Sequence, residues 1–306
     1  MRLHFIGGTA QAGFTLAELM VALVLGLGLS LLAVSLLVSS NFAFVMQAEA
    51  ADVDEAGRYA LHAVAGALRQ SAFADWAGVV DADDGAPAPL AGLDASTVPR
   101  TGEGLAGAIP RSVNGSDVLA VRFHPAADGA VLNCAGFQVT DALRGWSIFY
   151  VAQAADGEAE LLCKYRGSSN WTAGAIVRGV DSFQVLYGVD TDEPRDGIPN
   201  RYLSATQIAA LDAVLPLVGD TPQERSRDLN RRTAWKRVVT VRIALLMHGT
   251  GRIRRDGAVR AYELFAPGYS PGDDPGTRID EGALPEALRL RERRLFSAMV
   301  WLRNSP

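Results

Sequence analysis

The longest apolar stretch of the chain lies near its N-terminus. From Leu19 to Ala48 there is no Asp, Glu, Lys or Arg, and one acid, Glu18, stands directly before the stretch. A helix needs about 20 apolar residues to cross the hydrocarbon core of a bilayer. These 30 uncharged residues therefore predict a membrane-spanning helix rather than the core helix of a soluble domain.

The helical pattern continues beyond the uncharged stretch, with amphipathic character. Apolar residues recur at steps of three and four, and charged residues fill the other faces; the apolar positions are Val53, Ala56, Ala60, Val64, Ala67 and Leu68. This spacing is typical of a helix that packs one stripe against a globular domain. We expect one helix from about Phe14 to about Ser71, with a membrane-spanning segment (14–46) followed by an amphipathic segment (47–76).

The remainder of the chain, 77–306, has the pattern of a β-rich head. Residues 78–114 are rich in Gly, Ala, Pro and Asp, which predicts a loop. The runs 117–123, 146–152, 159–165, 180–189, 235–248, 262–265 and 294–304 are predicted strands, and apolar and polar residues alternate in 117–123 and 235–248. Turn signals between these runs, such as Asp156-Gly157, favour antiparallel pairing. The predicted fold class is α+β, with the long N-terminal helix packed on a mainly antiparallel β-sheet head.

Composition narrows the class of protein. The 306 residues are 49% hydrophobic and 21% charged, as in folded proteins. The formal net charge of −5 argues against a general nucleic-acid binder, and no nucleic-acid partner is expected.

The N-terminal segment allows three interpretations. A secretory signal peptide cut near Ala48-Glu49-Ala50 would have a far longer apolar region than the usual 7–15 residues or so. A plain membrane anchor gives Glu18 no role. The third interpretation uses the order of features, because Gly13-Phe14-Thr15-Leu16 and then Glu18 all precede the apolar run.

This order resembles the class III signal of type IV prepilins and pseudopilins. The resemblance implies that residues 1–13 are a leader peptide, that a prepilin peptidase cuts between Gly13 and Phe14, and that Phe14 becomes N-methylated. It also implies that Glu18 meets the N-terminal amine of a neighbouring subunit. An acid in a bilayer is costly, and such a pair selects register and partner. The alternative, in which Glu18 reaches the membrane surface, stays open.

Three later segments are similar to those of PilW-type minor pilins: "GVDSFQVLYGVDTD" (179–192), "WKRVVTVRIALL" (235–246) and "RRLFSAMVWLRN" (293–304). The resemblance implies a pilin-like fold and a structural subunit of the type IV pilus, not an enzyme. The chain would cross the inner membrane once, with a periplasmic head, and would then enter the pilus at the cell surface. Its partners would be the prepilin peptidase, other minor pilins, the major pilin, the inner-membrane assembly platform and membrane lipid.

Two other functions remain as alternatives: a minor pseudopilin of a type II secretion system, and a membrane-tethered periplasmic enzyme or binding domain. Against an enzyme, the chain has no G-x-S-x-G, no H-E-x-x-H and no phosphate-binding loop. His124 and His248 lie at strand ends, where they are interpreted as ordinary residues rather than catalytic bases.

The two cysteines, Cys134 and Cys163, form no C-x-x-C, and four histidines are too few and too scattered to indicate a zinc site. In an exported chain they favour one disulfide, which would close a loop of about 30 residues and contribute roughly 3–4 kcal/mol. Two buried free thiols are the alternative. The two positions also fit the pattern of the PilW-type family.

One acidic segment, "DTDEPRDG", is a possible calcium site. Asp190, Asp192 and Asp196 supply the oxygen ligands that Ca²⁺ prefers, and Gly197 follows. Their spacing departs from that of an EF-hand loop. A solvated acidic turn is therefore the alternative, and no other cofactor is indicated.

Overall fold

The computed structural model describes residues 13, 15–71, 85–126, 129–140, 145–251, 254, 257–265, 269 and 274–303. The chain divides into two compact units, residues 1–48 and 49–306. Helix α1 (Leu16–Arg69) contributes to both without interruption, so the prediction of a single long helix is confirmed.

The described part of the first unit is the apolar part of α1. Every residue from Leu16 to Asn41 is exposed, and none from Leu19 to Ala48 carries a charge. Ser30 and Ser35, which are polar, donate their hydroxyl hydrogens to the carbonyl oxygens of Gly26 and Leu32, at 2.9 and 2.8 Å. The helix therefore satisfies these polar groups internally, as a hydrocarbon environment requires.

The second unit is the head, which contains two antiparallel sheets. Strands β1 (Leu90–Leu93), β2 (Val118–Arg122), β3 (Trp146–Gln153), β4 (Ala159–Arg166) and β5 (Trp171–Arg178) form the first sheet, in that order. The second sheet uses β6 (Val180–Val189), β7 (Arg201–Leu203), β8 (Val238–His248) and β11 (Arg293–Trp301), in the order β11-β8-β6-β7. Strands β9 (Ala261–Glu263) and β10 (Arg278–Asp280) form a small ribbon. The head is thus α+β, as predicted.

The main core of the head contains residues of α1 together with residues of both sheets. Val53, Ala60, Val64 and Leu68 of α1 are buried in the same hydrophobic cluster as Phe149 of β3, Phe183 of β6 and Ile243 of β8. A second cluster covers the other face of β6 and β8 with Leu264, Phe265, Ile279 and Leu284. Since both faces are covered, all ten residues of β6 are buried.

Several elements differ from the sequence prediction. The region 78–114, predicted as loop, contains β1, which pairs with β2. Helices α2 (Ala205–Ala213) and α3 (Pro222–Arg232) were not predicted. Each begins with a reciprocal cap, Ser204 with Gln207 in α2 and Thr221 with Glu224 in α3. These S-x-x-Q and T-x-x-E patterns are the signal that could have identified both helices.

Candidate functional site

Helix α1 begins with a reciprocal cap between Thr15 and Glu18. The Thr15 hydroxyl oxygen accepts the backbone N–H of Glu18 at 3.3 Å. In return, Oε2 of Glu18 accepts both the backbone N–H and the hydroxyl of Thr15, each at 2.9 Å. This capping box satisfies N–H groups that have no partner within the helix. Glu18 therefore has a role within its own chain that the sequence analysis missed, although T-x-x-E is present.

The predicted processing site lies immediately before this cap. Gly13 is exposed, and no described residue lies within 4 Å of the position that a Cβ atom would occupy. Phe14 lies outside the described residues. Cleavage at Gly13 and methylation of Phe14 therefore remain predictions.

The apolar part of α1 presents a surface with no polar face. Among the described residues, this is the one helix long and apolar enough to cross a membrane. More than half of the surface of each of several large apolar residues is exposed: Leu19, Met20, Val24, Leu29 and Leu36. A helix that is apolar all round is stable in lipid or among other helices rather than in water.

The second part of α1 is fixed to the head by specific contacts. Glu49 accepts the backbone N–H of Thr250 at 2.9 Å and its hydroxyl at 2.6 Å. One turn further on, Asp54 forms an ion pair with Arg294 of β11. Gly57 lies so close to Phe296 that a Cβ atom there would be 2.3 Å from the ring. The helix position therefore depends on glycine at this contact.

Cys134 and Cys163 form the predicted disulfide. Their Cα atoms are 5.9 Å apart, and Cys163 belongs to β4. The backbone N–H of Cys134 also donates to Oγ of Ser147 in β3 at 2.9 Å. The disulfide therefore attaches the segment before β3 to the middle of the first sheet.

The three acids of the predicted calcium site lie together in the loop after β6. One carboxylate oxygen from each of Asp190, Asp192 and Asp196 lies within 4.8 Å of the others. Both oxygens of Asp190 already accept backbone N–H groups, from Asp192 at 3.0 Å and Gly197 at 2.7 Å. Burial raises the pKa of Asp190, but these hydrogen bonds outweigh it and hold the pKa below its ordinary value.

A cation of the protein also lies at this loop. The Arg237 guanidinium donates to the carbonyl oxygens of Asp190 and Asp192, both at 2.8 Å, and pairs with Glu193 at 3.2 Å. Its positive charge opposes a metal ion there. The three aspartates lie together, as the sequence predicted, whereas calcium binding by them remains a prediction.

A second group of acids was not predicted. Carboxylate oxygens of Asp94, Asp117 and Asp274 lie within 4.8 Å of one another. Asp117 is buried and accepts the backbone N–H groups of Ala95 at 3.1 Å and Val185 at 2.9 Å. Burial, followed by the charge of Asp94, raises the pKa of Asp117 well above its usual value.

The pKa of Asp274 is also raised, but to a smaller extent. Burial and the carboxylate of Asp94 raise its pKa to about 6, although a hydrogen bond from Tyr269 lowers it. Its Oδ1 atom is buried without a hydrogen-bond partner among the described residues. Burial therefore disfavours the charged form of both Asp117 and Asp274.

His248, interpreted from sequence as an ordinary strand-end residue, ends β8 beside two carboxylates. Its Nε2 contacts Glu158, and its Nδ1 lies 3.0 Å from Oδ1 of Asp181. Asp181 also accepts from Arg293 at 2.7 Å, and Arg293 in turn reaches Glu281 at 2.9 Å. Glu158 and Asp181 therefore lie at the two ring nitrogens of His248, and Arg293 links Asp181 to Glu281.

Comparisons with known proteins identify the family of the chain. Residues 148–304, just over half of the chain, match the family model of type IV pilus-assembly protein W (PilW). No curated protein sequence gives a significant match. Among solved structures, the chain is similar to a type IV-like pilin, TTHA1219, from Thermus thermophilus. The identity is 15%, the match covers 71% of this chain and 85% of that one, and the TM-score is 0.31.

Proposed function

Because this chain belongs to the PilW family of type IV pilus-assembly proteins, we propose that it is a minor pilin, a structural subunit that takes part in starting or assembling the type IV pilus. The observation that carries the proposal is the division of α1. Its first part is uncharged and exposed from Leu19 to Asn41, while its second part belongs to the core of the head. One helix thus provides an apolar assembly surface and a firm attachment for the head.

Maturation is the first step of the proposal. A prepilin peptidase removes residues 1–13 by cutting between Gly13 and Phe14, and the new amine of Phe14 is methylated. Two features support this order. Gly13 is exposed, and the capping box of Thr15 and Glu18 begins the helix just beyond the cut. The helix start is therefore defined by residues that the mature chain keeps.

Assembly is the second step. The chain first spans the inner membrane with its head in the periplasm, and the apolar part of α1 then packs among the helices of other minor pilins and the major pilin on the assembly platform. Thr15 uses only Oε2 of Glu18. Oε1 is left to accept from the amine of a neighbouring subunit, and this charged hydrogen bond would set the register between the two helices.

The family description names the type IV pilus, which favours the pilus over a secretion pseudopilus. The carboxylates of Asp181 and Glu281 both pair with the buried Arg293, which supports a structural role over a catalytic one for these groups. We propose no enzymatic activity.

The test is the mass of the mature N-terminus, measured on full-length protein purified from membranes. We expect a chain that starts at N-methylated Phe14. Gly13→Val should block the cut, because a bulky side chain replaces the small residue before it, whereas the matched leader variant Gly8→Val should be processed normally. An intact Met1, or a start at Ala51, would contradict the proposal. So would normal pili in cells that lack the protein.

A further inference from the structure

Strand β11 has one paired edge and one free edge. Its register with β8 runs from Arg293 opposite His248 to Trp301 opposite Thr240. Just beyond the two ends, Gly249 N–H donates to Glu292 O and Leu302 N–H donates to Val239 O, both at 2.9 Å. Because alternate residues of an antiparallel strand bond to the same neighbour, the even-numbered residues of β11 bond to β8.

The odd-numbered residues of β11 therefore direct their backbone groups away from the sheet. Leu295, Ser297, Met299 and Trp301 have no described backbone partner on that side, and β11 is the outermost strand of its sheet. These N–H and C=O groups recur every second residue, about 6.8 Å apart along the strand. We call this set of backbone groups the β11 edge.

The residues whose backbone groups form the β11 edge have uncharged, solvent-exposed side chains. No charged residue occurs in "LFSAMVW", residues 295–301. The side chains at Leu295, Met299 and Trp301 are 42%, 54% and 50% exposed. Met299 is held by a contact of 3.2 Å from the Tyr202 hydroxyl to its sulfur atom. The exposed side chains along β11 are thus uncharged, and the contact with Tyr202 holds the Met299 side chain in place.

Edge strands usually carry features that prevent pairing with another chain, such as Lys, Pro, a bulge or short length. Strands β1 and β7 are short, with four and three residues. Strand β5 pairs irregularly with β4 between Leu161 and Leu162. By contrast, β11 has nine residues in unbroken register and none of these features in its uncharged run.

We propose that the β11 edge accepts an extended strand from a neighbouring pilin subunit, which joins the second sheet beside β11. Only another extended backbone offers donors and acceptors at the spacing of this edge. Charge complementarity narrows the occupant further. We expect its side chains opposite 295–301 to be uncharged, and an acidic residue to follow opposite the exposed Arg303. This inference rests on the proposed function, which brings the heads of neighbouring subunits side by side.

Two variants of the full-length protein test the β11 edge. Ser297→Pro removes an outward N–H but no bond to β8, and Met299→Lys adds the charge that protects ordinary edges. We expect either change to reduce copurification of neighbouring pilins about tenfold, equivalent to the loss of one good contact, and to reduce pilus number. The matched control is Ala175→Lys, an exposed residue on the outer strand of the other sheet, which should behave as wild type.

The occupant is identified by placing the photoreactive residue benzoylphenylalanine at position 297 and sequencing the crosslinked peptide. A strand from another pilin head supports the proposal. A second copy of this chain, a non-pilin protein, or crosslinks that Met299→Lys leaves unchanged would overturn it. Membrane level and N-terminal mass are measured on the same samples. If the protein is correctly processed and required for pili but tolerates both edge variants, only this inference is wrong. If the protein is not processed, the proposed function is wrong.

Discussion

Glu18 and Thr15 cap each other across the first turn of helix α1, with the carboxylate 2.9 Å from both the N–H and the hydroxyl of Thr15. Glu18 therefore has two separable roles, one as a cap within its chain and one, proposed, as a charge for a neighbour.

Two substitutions at Glu18 separate these roles. Gln also serves at this position of a capping box, as Gln207 does in α2. Glu18→Gln should therefore keep the helix start, while Glu18→Ala loses the hydrogen bonds that the carboxylate accepts from Thr15. We expect both variants to be processed and inserted, yet to fail in pilus formation, because neither carries the charge. Pilus counts by electron microscopy, beside N-terminal mass, provide the measurement. Normal piliation with Glu18→Gln would show that capping alone is needed.

The disulfide gives a prediction about the stability of the head. Replacing Cys134 and Cys163 together by Ser should lower the free energy of unfolding by roughly 3–4 kcal/mol, since the unfolded chain regains the freedom of a loop of about 30 residues. Urea denaturation of the detergent-solubilised protein measures the loss. Wild-type protein under reducing conditions serves as the comparison and should show a similar loss. An unchanged midpoint in both would mean that the bond contributes nothing to stability.

The buried acids predict a pH dependence of the opposite sign to that of most carboxylates. The pKa of Asp274 is raised to about 6, so the folded state holds its proton more tightly than the unfolded chain. Its stabilising contribution is complete below about pH 4 and is lost as the pH rises to about 6.

The variant Asp274→Asn tests this sign. Asn has no charge to bury, so we expect it to stabilise the protein at pH 7 by about 1–2 kcal/mol and to have little effect near pH 4. Thermal midpoints of both proteins between these pH values provide the measurement. The exposed Asp196→Asn is the matched control and should leave the profile nearly unchanged. A difference that grows towards acid pH would show that Asp274 is a stabilising anion.

The predicted calcium site is tested by the ion itself. At about 5 mM, Ca²⁺ would stabilise the fold by about 1–2 kcal/mol if its dissociation constant lay in the range of weak extracellular sites, about 0.1–1 mM, and Asp192→Asn should remove the effect. The measurement compares the thermal midpoint in about 5 mM CaCl₂ with the midpoint in the same concentration of MgCl₂. If calcium changes no midpoint, "DTDEPRDG" is the solvated acidic turn that was the alternative.

Periodicity in the sequence was sufficient to predict α1 and the strands β6, β8 and β11 of the second sheet, whereas the three-residue strand β7 was not predicted. The spacing of Val53, Ala60 and Val64 places one face of the helix in the core, and the alternation along β8 identifies that strand. Such patterns are local, so one sequence reveals them. Helices α2 and α3 were missed because neither has a buried apolar stripe of useful length.

Contacts between residues far apart in the chain could not be predicted from the sequence. Asp94 and Asp117 flank the paired ends of β1 and β2, whereas Asp274 lies far along the chain, before β10, and reaches them only through the tertiary fold. Likewise, the fit of Gly57 against Phe296 depends on how α1 crosses β11, which no local spacing encodes. Each is a property of the tertiary structure alone.

The unbroken course of α1 has a mechanical consequence. Tension applied to its apolar part is carried by one continuous ladder of backbone hydrogen bonds into residues 49–69. Before the helix could be pulled from the head, Glu49 would have to leave Thr250, Asp54 would have to leave Arg294, and the buried stripe around Val64 would have to meet water. These contacts lie in parallel along one rod, so the head would share a load among many bonds instead of breaking them one at a time.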